Sequence, residues 1–132
     1  MVALVGCTSV TVRPVDQALG LEHVYIQENP RVAVSDFLQV VVDGFERHGI
    51  SCEVFSGRTP PACDFLLTYT ALRSWDLTPY LSQAELRIEY NGREVAYARY
   101  HLRGKGGFAL TKYAGTKSKI DPVLDELLAG YR

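Results

Sequence analysis

"SQAELRIEYNGREVAYARYHL", residues 82–102, is the stretch on which the fold turns. Asn91-Gly92 is a hairpin signal, because a two-residue turn of the favoured kind needs positive φ at both central positions. The two flanks alternate apolar and polar residues, as strands with one buried face do. A plain two-residue loop sets Ala84 opposite Arg99 and leaves Tyr100 and Leu102 on the face of Glu85 and Arg87. One residue more, as an odd loop or a bulge, gathers Ala84, Leu86, Ile88, Ala96, Ala98, Tyr100 and Leu102 on one face. Small residues then meet large ones, and Arg99 falls opposite Glu85 as a cross-strand pair. The odd loop is the expectation.

Upstream, "SCEVFSG" (51–57) and "CDFLLTYTALRSW" (63–75) are rich in β-branched and aromatic residues and read as strands joined through a turn at "GRTPPA". Val24, Tyr25 and Ile26 form the middle of an earlier strand that ends near Pro30. Between these strands Phe37, Leu38, Val41, Val42 and Phe45 recur at helical spacing, with Ser35 as N-cap and Gly49 as left-handed terminator. Asp121 and Pro122 are expected to open a last helix whose stripe is Ile120, Leu124, Leu127, Leu128 and Tyr131. Residues 104–118, "GKGGFALTKYAGTKS", read as a loop or a last edge strand.

The expected architecture is therefore α+β: a largely antiparallel four- to five-stranded sheet with two helices packed on one face. Residues 8–20, polar and small with one proline, read as a flexible tether, so the domain is expected to span 21–132. A chain of 132 residues is the size of one domain and buries roughly two thirds of its unfolded surface.

A net charge of −1 speaks against a globally basic nucleic-acid binder. No apolar run approaches the roughly 20 residues of a spanning helix. His23, His48 and His101 are scattered, no metal-ligand or nucleophile-elbow spacing occurs, and "GKGG" lacks the phosphate-loop pattern. No catalytic residue, metal or cofactor is expected.

Three cysteines remain. Leu4-Val5-Gly6-Cys7 matches the lipobox of bacterial lipoproteins, where an apolar run and a small residue precede a cysteine that carries the lipid. Residues 1–6 are shorter than a full export signal, so residues 1–20 read as a signal remnant with lipobox and tether. The alternative is a buried first strand holding a core cysteine. In an exported protein Cys52 and Cys63, on consecutive strands either side of a turn, are expected to form a disulfide.

Two further segments carry binding chemistry. "RSWDLTPY" (73–80) combines Arg73, Trp75 and Tyr80, residue types common at interface hot spots. Between Val95 and Ile120 there is no acid, so Arg99, Arg103 and Lys105 are candidates for an anionic headgroup or glycan, against the simpler reading of a solvated strand face.

"LVGCTSV", "ENPRVAVSDFL", "GFERHGISCEVFSG", "YTALRSWDLTPYLSQAEL", "YHLRGKGGF" and "KIDPVLDELL" together resemble a family of small proteobacterial lipoproteins of unknown function, over nearly the whole chain. The resemblance implies an upstream signal, export and anchoring at Cys7. Thr8, not aspartate, follows that cysteine, which by analogy directs the anchor to the outer membrane. The expectation is a lipid-anchored protein on the periplasmic face of the outer membrane, without enzymatic activity, that binds a protein or another envelope component. The alternatives are a small lipid- or glycan-binding module and an unrecognised envelope enzyme.

Overall fold

A computed structural model of the chain describes residues 8–76, 78–102 and 115–132. Among the described residues six strands and two α-helices follow one another as β1 (Thr8–Arg13), β2 (His23–Gln27), α1 (Phe37–Arg47), β3 (Ser51–Phe55), β4 (Phe65–Asp76), β5 (Thr78–Tyr90), β6 (Arg93–Leu102) and α2 (Thr116–Leu127), with one 3-10 turn at Gln17–Leu19. The class is α+β, with one mixed sheet in the order β1-β6-β5-β4-β2-β3.

The hairpin of residues 82–102 has the expected buried face and a different device for reaching it. Asn91 and Gly92, at φ 51° and 83°, form a two-residue turn. Tyr90 pairs with Arg93 and Glu89 with Glu94, then the register shifts so that Ile88 meets Ala96. Val95 is the extra residue, a bulge in place of the expected odd loop. Beyond it Leu86 meets Ala98 and Ala84 meets Tyr100, all buried.

Two expectations about the sheet are corrected. It has six strands among the described residues, not four or five, and is mixed: β1, β6, β5 and β4 pair antiparallel, as expected of most of the sheet, but β2 pairs in parallel with both β3 and β4. The chain leaves β2, crosses through α1 and returns as β3 on the outer side of β2, so β3 and β4 are not neighbours. The segment "GRTPPA" therefore spans across β2 and is not a hairpin turn. Residues 8–20 are not a free tether either. Thr8–Arg13 pairs antiparallel with β6, from Thr8 opposite Leu102 to Arg13 opposite Tyr97. Val10 and Val12 alternate with Ser9, Thr11 and Arg13, a strand pattern that the polarity of the segment conceals.

Both helices lie on one face of the sheet, where Val24, Ile26, Leu67, Leu86, Ile88, Ala96 and Ala98 are buried against Phe37, Val41, Phe45, Ile120, Leu124 and Leu127. The opposite face is open to solvent. Helix α1 ends as its sequence dictates: Gly49 sits at φ 77°, its N–H donates to Glu46 O, and Ile50 N–H reaches back to Phe45 O. Its start differs from expectation. Asp36, not Ser35, stands at the cap position, and its carboxylate accepts Thr116 Oγ1 at 2.8 Å instead of capping its own helix. Helix α2 begins at Thr116, well before Asp121, with Pro122 inside it. Ser118 and Pro122 are exposed, so the hydrogen bond that proline removes is lost where water reaches the backbone.

Candidate functional site

The long hairpin of β4 and β5 rises from the sheet and changes register on the way. Leu72 pairs with Gln83, but Arg73 pairs with Leu81, so Ser82 is the extra residue. Its hydroxyl donates to Leu72 O and accepts from Ser74 Oγ at 2.8 Å, which holds the bulge. The bulge re-aims the arm's outer end, as bulges commonly do. Trp75, opposite Pro79 near the tip, is 64% exposed, and Leu72 at the bend is 55% exposed.

At the root of this arm lies a cleft of about 280 Å³ lined by Arg73, Pro79, Tyr80 and Leu81, by residues 33–36 ahead of α1, and by Gly115 and Thr116 at the start of α2. Behind it, Lys119 is buried on α2 and donates from Nζ to Leu81 O at 3.0 Å. The same ammonium lies 5.5 Å from the centre of the Tyr80 ring. Burial lowers the Lys119 pKa from its ordinary value. Lys119 thus fastens the root of the hairpin to α2.

The binding residues expected from sequence are therefore split. Arg73 and Tyr80 share the wall of one cleft, while Trp75 points out from the arm and lines none of it. Arg99 lies on the open face of the sheet, directly opposite Glu85 and 3.9 Å from its carboxylate. It belongs to a network of charged residues there, within β5 and across to β6 and β1. Arg87 bridges Glu94 at 2.8 Å and Glu85 at 3.5 Å, and Arg13 of β1 closes on Glu94 at 2.6 Å. Tyr97 donates its hydroxyl to Glu85 and carries the Arg87 guanidinium 4.8 Å above its ring. Cys7, Arg103, Lys105 and residues 104–114 of the glycine-rich segment lie outside the described residues, while its last residues, from Thr116, open α2 and are neither loop nor strand.

The expected disulfide is not formed. Both Cys52 and Cys63 are free thiols. The expectation assumed that their strands were paired, whereas β2 separates β3 from β4 and Cys63 lies ahead of β4. Cys52 Sγ rests 3.9 Å from the carbonyls of Val42 and Ile50. Burial, with a smaller contribution from Glu46, pushes its pKa up to about 12. A thiolate fraction on the order of 10⁻⁴ at pH 8 follows, so native Cys52 is expected to resist iodoacetamide and to react only once the chain is unfolded in urea. Intact-mass spectra of the two samples check this; rapid native labelling at Cys52 would contradict its burial. The unfolded thiol ionises near 9 and the folded one near 12, so stability falls as pH climbs through that window. Cys52→Ala should remove that part of the slope.

Chemically the cleft offers a guanidinium, a phenol and a carboxylate already engaged by Thr116. Two smaller depressions on the open face, about 180 and 230 Å³, share Asn29, Thr68 and Tyr69. Among the described residues no group of three or more His, Cys, Asp or Glu is placed to hold a metal ion, and no helix is long and apolar enough to cross a membrane.

No family model matches the sequence, and no curated protein matches it significantly. Its fold does have solved counterparts. Two crystal forms of the PelC dodecamer from Paraburkholderia phytofirmans superpose on it, one in space group P6 with a TM-score of 0.58 over 90% of this chain and 95% of that one. The other, a leucine-to-methionine variant of that protein in space group C2, gives 0.56 over 89% and 97%. Identity is 12% in both, so the likeness is one of fold: this chain is similar, almost end to end, to a protein that assembles from twelve copies.

Proposed function

We propose that this chain is a lipid-anchored protein of the periplasmic face of the outer membrane that works by self-assembly and recognition, as a non-catalytic component of the cell envelope. The observation that carries the reading is the near end-to-end fold likeness to the subunit of a dodecamer. The lipobox Leu4-Val5-Gly6-Cys7 supplies the anchor. Cys7 immediately precedes Thr8, the first described residue of β1, in sequence, so a lipid there would tether the domain close to this strand. Such an anchor restricts the orientation of the domain at the membrane as well as its location. The rival reading, an anionic lipid or glycan module built on Arg99, Arg103 and Lys105, draws less support from Arg99, whose charge faces Glu85 across the strands at 3.9 Å.

The test is intact mass and membrane fractionation of the chain expressed from its full upstream reading frame, beside Cys7→Ser. The wild type is expected to gain the mass of its acyl chains and sediment with outer membrane, and the variant to lose both properties, since multiple acyl chains bind far more firmly than one. An unmodified wild type in the soluble fraction would overturn the anchor.

A further inference from the structure

The sheet has two outer rims, and together they form a matched pair. Among the described residues nothing pairs beyond β1 on one side or β3 on the other. Each rim exposes a valine on the helix-bearing side: Val10 is 44% exposed and Val54 40%. Val10 shares that side with Val12, through their partners Tyr100 and Ala98, and Val54 shares it with Cys52, through Ile26 and Val24. On the open side the two rims differ in charge. Strand β1 ends in Arg13, 56% exposed, and β3 carries Glu53, 57% exposed.

We infer that copies of this chain join head to tail, with β1 of one copy adding to β3 of the next as a continuous sheet. The inference rests on the self-assembly part of the proposed function and not on its lipid anchor. Strand direction favours this pairing. From β1 to β4 the chain direction reverses three times, and β2 and β3 then run parallel to β4, so β1 and β3 run opposite ways within one copy. Rotating a copy about an axis parallel to its strands preserves those directions. The next β3 therefore arrives antiparallel to β1, with the helices of both copies on the same side.

Register favours it as well. Of the two antiparallel alignments that use all five residues of β3, the one that keeps the helix-side residues of both strands together sets Val10 opposite Val54, Val12 opposite Cys52, Thr11 opposite Glu53 and Arg13 opposite Ser51. Both exposed valines are then covered by each other, and Arg13 lies diagonal to Glu53, within reach for long side chains. The isologous alternative is poorer. Pairing β3 with its own copy over its full length sets Glu53 against Glu53, a destabilising juxtaposition, and leaves β1 uncovered. Heterologous addition covers both rims, and repetition closes a ring or extends a fibre according to the rotation. About a ring axis parallel to the strands, every Cys7 falls at the same end, so all the lipids of the proposed anchor meet one membrane.

The test uses the full chain with Cys7, Cys52 and Cys63 replaced by serine, carrying Thr11→Cys, Glu53→Cys or both, treated with a short bis-maleimide. The double variant is expected to give a ladder of covalent multimers, and each single variant none. In parallel, Val10→Glu and Val54→Lys are each expected to shift sedimentation towards the monomer, and Val10→Glu/Val54→Lys in one chain to restore the larger species. Both positions are solvent-exposed, and circular dichroism checks that each variant is folded. A wild type that is oligomeric while the ladder is absent and both valine variants leave its size unchanged would overturn the edge pairing and leave self-assembly standing. A wild type that is monomeric at high concentration would overturn both.

Discussion

Phe45→Ala is expected to lower the free energy of unfolding by about 3–5 kcal/mol, the upper end of what truncating one core side chain costs. Phe45 is fully buried in the last turn of α1, facing the sheet. Its backbone carbonyl also accepts the N–H groups of His48 and Ile50, so the residue sits where the helix terminator and the core meet. Truncation removes the ring from a close-packed interior and leaves a void lined by groups that cannot collapse into it. A domain of this kind has about 5–15 kcal/mol in total, so the variant should be near its folding limit. Urea unfolding followed by circular dichroism reads the effect as a lower midpoint at unchanged slope. Trp75→Ala is the control: Trp75 is mostly exposed, and its loss should move the midpoint little. Equal effects of the two substitutions would contradict the assigned core.

Gly44→Leu is expected to be comparably damaging by the opposite route. Gly44 is buried on α1, and a Cβ placed there would lie 2.3 Å from Leu124 Cδ1 and 3.3 Å from its Cγ. Leu124 is itself fully buried, so its methyl has nowhere to turn without displacing other core side chains. The two helices cross at a point where only a glycine fits between them. Even Gly44→Ala, which gains up to about 1 kcal/mol of helix propensity, should be a net loss. The leucine variant should lose about 3 kcal/mol or more, since it adds three further carbons to the same overlap. Non-additivity checks the cause: Leu124→Ala is costly alone, but in Gly44→Ala/Leu124→Ala the overlap is relieved, so the pair should cost less than the sum of the singles. Strict additivity would place the conflict elsewhere.

Which parts of this structure can be read in the sequence follows from the range of the interactions that fix them. The face composed of Ala84, Leu86, Ile88, Ala96, Ala98, Tyr100 and Leu102 is legible because side chains alternate with period two and Asn91-Gly92 fixes the centre of symmetry. The pairing of Arg99 with Glu85 follows from the same parity. The choice between an odd loop and a bulge at Val95 is not legible, since both restore that parity. Helix α1 is legible from its apolar stripe and Gly49, which together mark a face and an end.

Sheet order is not legible. Strand β3 goes outside β2 because α1 carries the chain across, and two prolines between β3 and β4 mark a turn equally well whether the strands it joins are neighbours or not. The disulfide expectation fails with that assumption. Strand β1 is hidden because only Val10 and Val12 are apolar in Thr8–Arg13, and its partner β6 lies about ninety residues away. Of the candidate site, Arg73 and Tyr80 do share one place while Trp75 lies nearer the tip, and the bulge at Ser82 that re-aims all three is set by local hydrogen bonding that composition does not encode. The exposed valines of the two rims escape a reading of the sequence because exposure at an edge depends on which strands are last.

Whether this domain is a self-assembling subunit shows first in its mass in solution. Sedimentation velocity of the folded full chain, over a concentration series, is expected to give a species at a multiple of the 14.7 kDa chain mass that persists on dilution into the micromolar range. A single species at 14.7 kDa throughout would contradict self-assembly and the edge pairing built on it.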